Sequence, residues 1–340
     1  MPDAPFWQKC NSHCVMCTNS DAYINEPDAR YGLAKHLRKI AEFKADPGDR
    51  NVYYQNGEHG GYFLFTGGEP TLNPDFLRLL AEYRKSFPGT PITLLTNGRL
   101  FCYEDFARET MLAGGNPFEV AVAVHGPDAA AHDAVTRTPG SFAETVEGLG
   151  HALKHRGPGQ AVEIRVVLHR RTAGMLERTL RFLLETFPDA SGYRLTLVYF
   201  EAEGQAAKNF ERIRITLTDC AARVAACRGL LGRFRELRLY HFPLCVLPET
   251  LWPHAWRSLP RYEIMHVKAC GACALNDVCV GPHDWYAERF GVSEFKPFQA
   301  RRSLVLSGNP FHPIASVGEG TVPWTPARVV DEKKDEAVRW

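Results

Sequence analysis

Cys10, Cys14 and Cys17 stand in the run C-N-S-H-C-V-M-C, three thiols in a Cys-x3-Cys-x2-Cys spacing. Thiolates are soft ligands suited to zinc or to iron–sulfur clusters. A cubane cluster has four irons, so three thiolates leave one iron open to a ligand that is not protein. Half of a zinc site is the other use of such a triplet. About fifty residues later Thr66-Gly67-Gly68-Glu69-Pro70 follows the apolar run Tyr62-Phe63-Leu64-Phe65. Glycines directly after a strand let backbone carbonyls approach a ligand closely, and Glu69 offers a charge partner for a cation. Alone, Gly-Gly-Glu-Pro could simply turn the chain. A second group, Cys270-x2-Cys273-x5-Cys279, has Cys245 upstream of it in Phe242-Pro243-Leu244-Cys245. Four thiolates close a cubane completely, and the same four would also suit structural zinc. Cys102, Cys220 and Cys227 have no motif partners and read as small core residues.

These groups need a scaffold, and the pattern supplies one. Short apolar runs near 62–66, 91–96, 118–124, 162–168 and 193–200 read as buried parallel strands. Amphipathic patterns near 30–44, 75–87, 103–113, 141–155 and 174–187 read as helices between them. Asn73-Pro74-Asp75 opens one helix, and Ser141 with Glu144 three residues on forms a capping-box pattern before another. Alternation of this kind implies right-handed βαβ units, an α/β class and a parallel sheet. Residues 46–60, polar and glycine-bearing, read as a long loop. Residues 296–340, rich in Pro, Gly and Ser and carrying the charge run D-E-K-K-D-E, read as a loosely ordered extension.

Together, the cysteine triplet and the Gly-Gly-Glu-Pro segment behind a strand resemble the radical S-adenosylmethionine (radical SAM) family. The resemblance implies a partial (β/α)6 TIM-like barrel, here over 1–215, with chemistry at the C-terminal strand ends. It implies a [4Fe–4S] cluster on Cys10, Cys14 and Cys17, whose open iron chelates the amino and carboxylate groups of SAM. Gly67, Gly68, Glu69 and Pro70 would hold the methionyl ammonium. Asn97 at one strand end, His125 at the next and Arg165 within a further strand are the other candidate contacts. Arg165 would meet the SAM carboxylate or else an internal ion pair. Met16 stands where the family often has an aromatic near the adenine, and Ala123 where it often has a serine touching the ribose. Tyr199 and the segment Glu201–Ala206 would border the substrate space.

The second cysteine group resembles the auxiliary-cluster extension of these enzymes, in its twitch or shortened SPASM form, over 216–295. It implies an auxiliary [4Fe–4S] cluster on Cys245, Cys270, Cys273 and Cys279, with structural zinc as the rival. His283 takes the place of a further cysteine in the full SPASM pattern. His125-Gly126, His132-Asp133 and Gly140-Ser141-Phe142, followed by both parts of the second cysteine group, are similar to maturases of the His-Xaa-Ser peptide-modification type. Modification of a ribosomally made peptide is therefore expected, with a small molecule as the alternative substrate. A structural or electron-carrier protein would explain the cysteines but not Gly67–Pro70. Only nine residues precede Cys10, and Pro5–Lys9 makes a poor strand. The strand that the family places before its cysteine loop is expected to be very short or to lie upstream of Met1, and no separate leader-binding domain fits there.

Composition fits this reading. Lys plus Arg, 40, nearly equals Asp plus Glu, 39, so no global field recruits nucleic acid or an acidic membrane surface. No apolar stretch approaches the roughly 20 residues of a membrane span, and no signal-peptide core opens the chain. Clustered cysteines without an export signal point to a reducing cytoplasm. A flavodoxin- or ferredoxin-type electron donor is the implied partner.

Overall fold

A computed structural model describes residues 3–45, 62–259, 263–323 and 338–339; the loop read at 46–60 lies outside them. Eight parallel strands, each paired to the next in chain order, build one sheet with β1 and β8 as its edges. They are β1 (Asp3–Trp7), β2 (Phe63–Gly67), β3 (Ile92–Thr96), β4 (Phe118–Ala123), β5 (Gln160–Leu168), β6 (Arg194–Tyr199), β7 (Leu237–Tyr240) and β8 (Ala255–Trp256). Helices α1 (Asp21–Ile24) and α2 (Leu33–Ala45) follow β1, then α3 (Phe76–Ser86) follows β2 and α4 (Glu104–Gly114) follows β3. Helices α5 (Ala129–Thr136) and α6 (Ser141–His155) follow β4, and α7 (Arg170–Gly174) and α8 (Leu176–Thr186) follow β5. After β6 come α9 (Gly204–Lys208), α10 (Phe210–Ile213), α11 (Leu217–Ala226) and α12 (Arg228–Leu231). The strands read from apolar runs are all present, because each is buried on both faces of a helix-covered parallel sheet.

Four differences from the sequence reading have plain physical reasons. The poor strand at the N-terminus is nonetheless a strand, β1, five residues long and parallel to β2. Pro5 is tolerated there because an edge strand need not donate every N–H. Its anchor is Phe6, fully buried, with its ring 4.1 Å from Phe65 and 5.7 Å from Tyr83. The sheet also runs past residue 215, since β7 and β8 extend it to Trp256. Third, Ser141 is the first residue of α6 and not its cap. Asp133 does that work, accepting from the backbone N–H of Phe142 (2.8 Å) and of Gly140 (2.7 Å) and from the Ser141 hydroxyl (2.8 Å).

The fourth concerns the segment 296–340. It contains an antiparallel hairpin, β10 (Arg301–Asn309) and β11 (His312–Val322), after a short β9 (Met265–His266) and α13 (Trp285–Phe290). The hairpin is held by side chains the composition hides. Ile314 is fully buried, the His312 ring stacks on Trp256 at 4.5 Å, and Phe311 accepts from the Arg257 backbone at 2.7 Å.

Inside the sheet, β4 to β7 carry charges where an apolar layer is usual. Glu119 pairs with Arg194 (2.5 Å), Arg194 with Glu236 (2.7 Å), Arg238 with Glu236 (2.6 Å), and Glu163 with Arg165. Alternation along each strand puts all six on one face. The opposite side of the sheet is tied at Arg84 of α3. It donates to the carbonyls of Gly114 (2.6 Å), Thr90 (2.7 Å) and Pro117 (2.5 Å), joining the ends of β3 and β4 to α4. Charge-assisted bonds to three backbone carbonyls are worth keeping. Arg84→Ala is expected to lower stability by about 2–3 kcal/mol in urea denaturation, and a change below about 0.5 kcal/mol would contradict the role given to it.

Candidate functional site

The cysteine loop leaves the C-terminal end of β1 and is gripped from three sides. From α5, the carbonyls of Thr136 and Val135 accept the backbone N–H groups of His13 (2.8 Å) and Val15 (2.9 Å). From α9, Ala206 donates to the Cys17 carbonyl (3.0 Å), and the Asn209 amide donates to Val15 (3.0 Å). From the start of β2's following turn, Gly68 donates to Trp7 (2.6 Å) and Glu69 to Lys9 (2.8 Å). Three N–H groups point at sulfur: Ser12 at Cys10 (3.4 Å), Asn19 at Cys17 (3.4 Å) and the Asn97 amide at Cys10 (3.8 Å).

The two glycines are required by the protein backbone itself. A Cβ on Gly67, at φ 138°, would lie 2.2 Å from the Trp7 carbonyl oxygen, and one on Gly68 would lie 2.3 Å from that of Lys9. Close approach to a ligand, the reason inferred from sequence, is thus secondary to close approach of two strand ends. Glu69 is buried and accepts from the Thr71 N–H (3.1 Å) and hydroxyl (2.6 Å), the Thr96 hydroxyl (2.7 Å) and the Asn97 N–H (2.7 Å). Burial pushes its carboxyl pKa up while those bonds pull it down. No cation is among the four donors.

A cavity of about 600 Å³ opens beside these groups. Cys10, Cys14, Cys17, Gly67, Gly68, Glu69, Asn97, His125 and Arg165 all line it. Pro70 does not; it opens a short 3-10 turn, Pro70–Leu72, and is buried beneath. Asn97 is a bracket more than a wall, donating to the Asn11 side chain at 2.7 Å as well as to Glu69. Arg165 realises the internal ion pair, with Glu163, and lies 5.5 Å from the Tyr240 ring while still bordering the cavity. Met16 and Ala123 line the cavity too, as do Tyr199, Glu201 and Gln205, but Ala202, Glu203, Gly204 and Ala206 do not. Sequence reasoning missed the contributions of Asn19, His132 and Arg137 to this wall. It also missed His241, which sits behind Glu201 (3.5 Å) in a left-handed backbone with φ 69°.

The donor set fits an iron–sulfur group. Burial pushes the Cys10 thiol up to about 12, and Cys14 is raised by burial and then by Cys10 and Cys17. Three half-buried thiols that repel one another as thiolates need positive charge between them, which metal supplies. N–H groups aimed at sulfur are the usual surroundings of such clusters.

The second group also comes together. Cys245, Cys270, Cys273 and Cys279 line one small cavity between the turn after β7 and the segment that follows β9. Phe298 donates to Cys273 (3.3 Å) and Gly281 to Cys279 (3.5 Å). Burial, then the neighbouring thiols, push Cys245 up to about 12. His283 is not in that wall; it sits against Asp284 (2.8 Å) and Glu203 (3.7 Å). Among the described residues no three His, Cys, Asp or Glu side chains converge tightly enough for a single metal ion. A cubane spreads its thiolates over separate irons and asks for no such convergence. Cys102, Cys220 and Cys227 join neither group.

The sequence profile of the Radical SAM superfamily matches residues 5–183, which contain the cysteine loop, Gly67–Pro70, Asn97, His125 and Arg165. The chain belongs to the radical SAM superfamily. It is 28% identical to mycofactocin maturase MftC of Mycobacterium ulcerans (strain Agy99) over 226 residues, 65% of this chain and 54% of that one. It is 34% identical to the AdoMet-dependent heme synthase of Nitratidesulfovibrio vulgaris (strain Hildenborough) over 88 residues, 26% of this chain and 23% of that one. The chain thus spans from about a quarter to just over half the length of these curated relatives. The fold is shared with Streptococcus suis SuiB at a TM-score of 0.51 and 14% identity, covering 87% of this chain and 66% of that one. SuiB bound to its precursor peptide SuiA aligns at 0.50 and 14%, covering 70% and 48%. Among the described residues no helix is long and apolar enough to cross a membrane.

The grip of α9 on the radical SAM cysteine loop gives a direct test. Gly204 has φ 48°, and a Cβ there would lie 2.2 Å from the Thr18 carbonyl oxygen; at Gly229 a Cβ would meet nothing within 4 Å. Gly204→Ala is expected to cut iron bound at the first cluster after anaerobic reconstitution by at least half, while Gly229→Ala leaves it unchanged. Equal iron in both variants would contradict the clamp.

Proposed function

We propose that this chain is a radical SAM enzyme that modifies a ribosomally synthesised peptide. The observation that carries the chemistry is the meeting of three half-buried thiols, a buried carboxylate without a cation among its donors, and one large cavity. Cys10, Cys14 and Cys17 would hold the [4Fe–4S] cluster, with the Ser12, Asn19 and Asn97 N–H groups stabilising charge on sulfur. When bound, the cluster and SAM supply a 5′-deoxyadenosyl radical that takes a hydrogen atom from substrate. Glu69, its carboxyl oriented by four donors, would take the methionyl ammonium between Gly67 and Gly68. Arg165 would face the carboxylate, its charge shared with Glu163. The cavity walls, including Met16, Ala123 and Tyr199, would keep water from the reacting atoms.

Cys245, Cys270, Cys273 and Cys279 would hold an auxiliary [4Fe–4S] cluster, with structural zinc as its rival. The peptide reading is supported by the likeness to a mycofactocin maturase over 65% of the chain. A second reading, a small-molecule substrate, is favoured by the shorter likeness to a heme synthase. A flavodoxin- or ferredoxin-type protein would supply the electron. Thiol-ligated clusters suit a reducing cytoplasm.

Anaerobically reconstituted protein, reduced with dithionite, is expected to form 5′-deoxyadenosine from SAM, and Cys14→Ala to form none. Absence of product in protein that carries full iron but does not bind SAM would refute the reading. Double substitution Cys270→Ala and Cys279→Ala is expected to lower iron from about eight to about four atoms per chain, with the first cluster's optical signal retained. Metal analysis finding zinc in the wild type at this site would replace the auxiliary cluster by the structural alternative.

A further inference from the structure

We infer that a basic surface on residues 209–214, directly behind the cysteine loop, docks an acidic electron-carrier protein of the flavodoxin or ferredoxin type. The inference rests on the radical SAM reading and adds the place where the electron enters. Guanidinium groups crowd this short stretch of chain. Arg212 stands on it, and the guanidiniums of Arg214 and Arg289 lie 5.6 Å and 5.2 Å from the Phe210 ring. Arg170 donates to the Arg214 carbonyl at 3.1 Å, and Arg137 to the Asn209 side chain at 2.7 Å. The stretch itself brings one carboxylate, Glu211, and Arg214 pairs with it at 3.2 Å. Among the described residues no carboxylate pairs with Arg137, Arg170, Arg212 or Arg289, and all four are exposed. The whole chain carries a net charge of only +1, so this concentration is local. Like charges held together repel one another, and a surface that gathers them without counter-ions suits an anionic partner. Arginine is the cation favoured in interface ion pairs.

What lies beneath the patch decides between partners. Asn209, which accepts from Arg137, donates to the Val15 carbonyl at 3.0 Å. Thr136, the residue before Arg137, accepts the His13 N–H at 2.8 Å. His13 and Val15 flank Cys14, so the patch is fastened to both neighbours of the middle cluster thiol. A carrier seated there is separated from that loop by two hydrogen bonds, and electron transfer weakens steeply with distance. One electron leaves the carrier and reduces the cluster on Cys10, Cys14 and Cys17; no proton or atom crosses the interface. SAM itself, with a sulfonium, an ammonium and a carboxylate, is a net cation and gains nothing from this charge. An acidic peptide would also be attracted, but it has no use for closeness to Cys14. Opposite charge speeds the encounter of protein partners and makes it depend on salt.

Calorimetric titration of the reconstituted protein with an oxidised flavodoxin and, separately, a [2Fe–2S] ferredoxin tests the surface without turnover. At least one carrier is expected to bind wild type, and raising salt from about 0.05 M to about 0.3 M to weaken it about tenfold. Arg212→Glu combined with Arg289→Glu should weaken binding by about tenfold or more. Arg78→Glu, on α3 and outside the surface, should leave it unchanged. The milder Arg212→Gln and Arg289→Gln should each shift affinity in the same direction by about threefold. In turnover, the double variant should need a correspondingly higher carrier concentration to form 5′-deoxyadenosine from SAM. With dithionite, a small reductant that needs no docking surface, it should match wild type in rate and in bound iron. Equal carrier affinity in wild type and the arginine variants overturns the inference, as does failure of both carriers to bind wild type. So does a glutamate-rich peptide whose binding depends on Arg212 and Arg289 when carrier binding does not, which would assign the surface to an acidic peptide. Failure of wild type to cleave SAM with dithionite removes the radical SAM reading itself, a different result from cleavage without carrier docking.

Discussion

The whole site depends on the place where the end of β1 meets the turn after β2. Two amides, of Gly68 and Glu69, donate to two carbonyls, of Trp7 and Lys9, across a gap that leaves no room for a Cβ at Gly67 or Gly68. That contact fixes the cysteine loop as it leaves β1. It also fixes the Glu69 carboxylate under the loop, because the residue following the two glycines must turn inward. Thr71, Thr96 and Asn97 then satisfy the carboxylate, and Asn97 reaches back to Asn11 and Cys10. One backbone junction thereby sets the relative positions of three thiols and an acid.

Around that junction the sheet is polarised. On its inner face the strand interiors carry the ion ladder from Glu119 to Arg165, and the cavity begins where the ladder ends. Buried ion pairs are weak as a source of stability but demand a definite arrangement of partners. Here they hold the Arg165 guanidinium at the cavity edge with its charge already shared. The cysteine loop, by contrast, is held by backbone bonds from α5, α9 and the turn after β2, and by the side chains of Asn97, Arg99 and Asn209. The same short segment after β6 carries the cavity residues Glu201 and Gln205 and the Ala206 amide that grips Cys17.

Much of this was legible in the sequence, and for identifiable reasons. Thiol spacing is local, so both cysteine groups could be read directly, even the distant Cys245. The strands β2 to β6 announce themselves because burial on both faces makes each a mostly apolar run, interrupted in β4 to β6 only where the ion ladder passes. Glu163 and Arg165, two apart on a strand, had to share a face, which is where the ion pair formed. Other features depend on contacts that no local pattern records. β1 is short and carries a proline, and the packing of Phe6 against Phe65 and Tyr83 is what makes it a strand. β7 and β8 are too short to stand out. The capping by Asp133 reaches eight residues ahead to Ser141, beyond the usual capping spacing. The hairpin from Arg301 has a composition that suits loops, and its footing lies in long-range contacts such as buried Ile314, the His312–Trp256 stack and the Arg257–Phe311 bond.

In the proposed enzyme the thiols at Cys10, Cys14 and Cys17 hold a cluster whose open iron takes SAM beside Glu69. Electron paramagnetic resonance of the reduced, reconstituted protein, recorded with and without SAM, tests it most directly. The cluster signal of wild type is expected to change on SAM addition, and that of Glu69→Ala to respond only at higher SAM concentration. A wild-type signal indifferent to saturating SAM would contradict it.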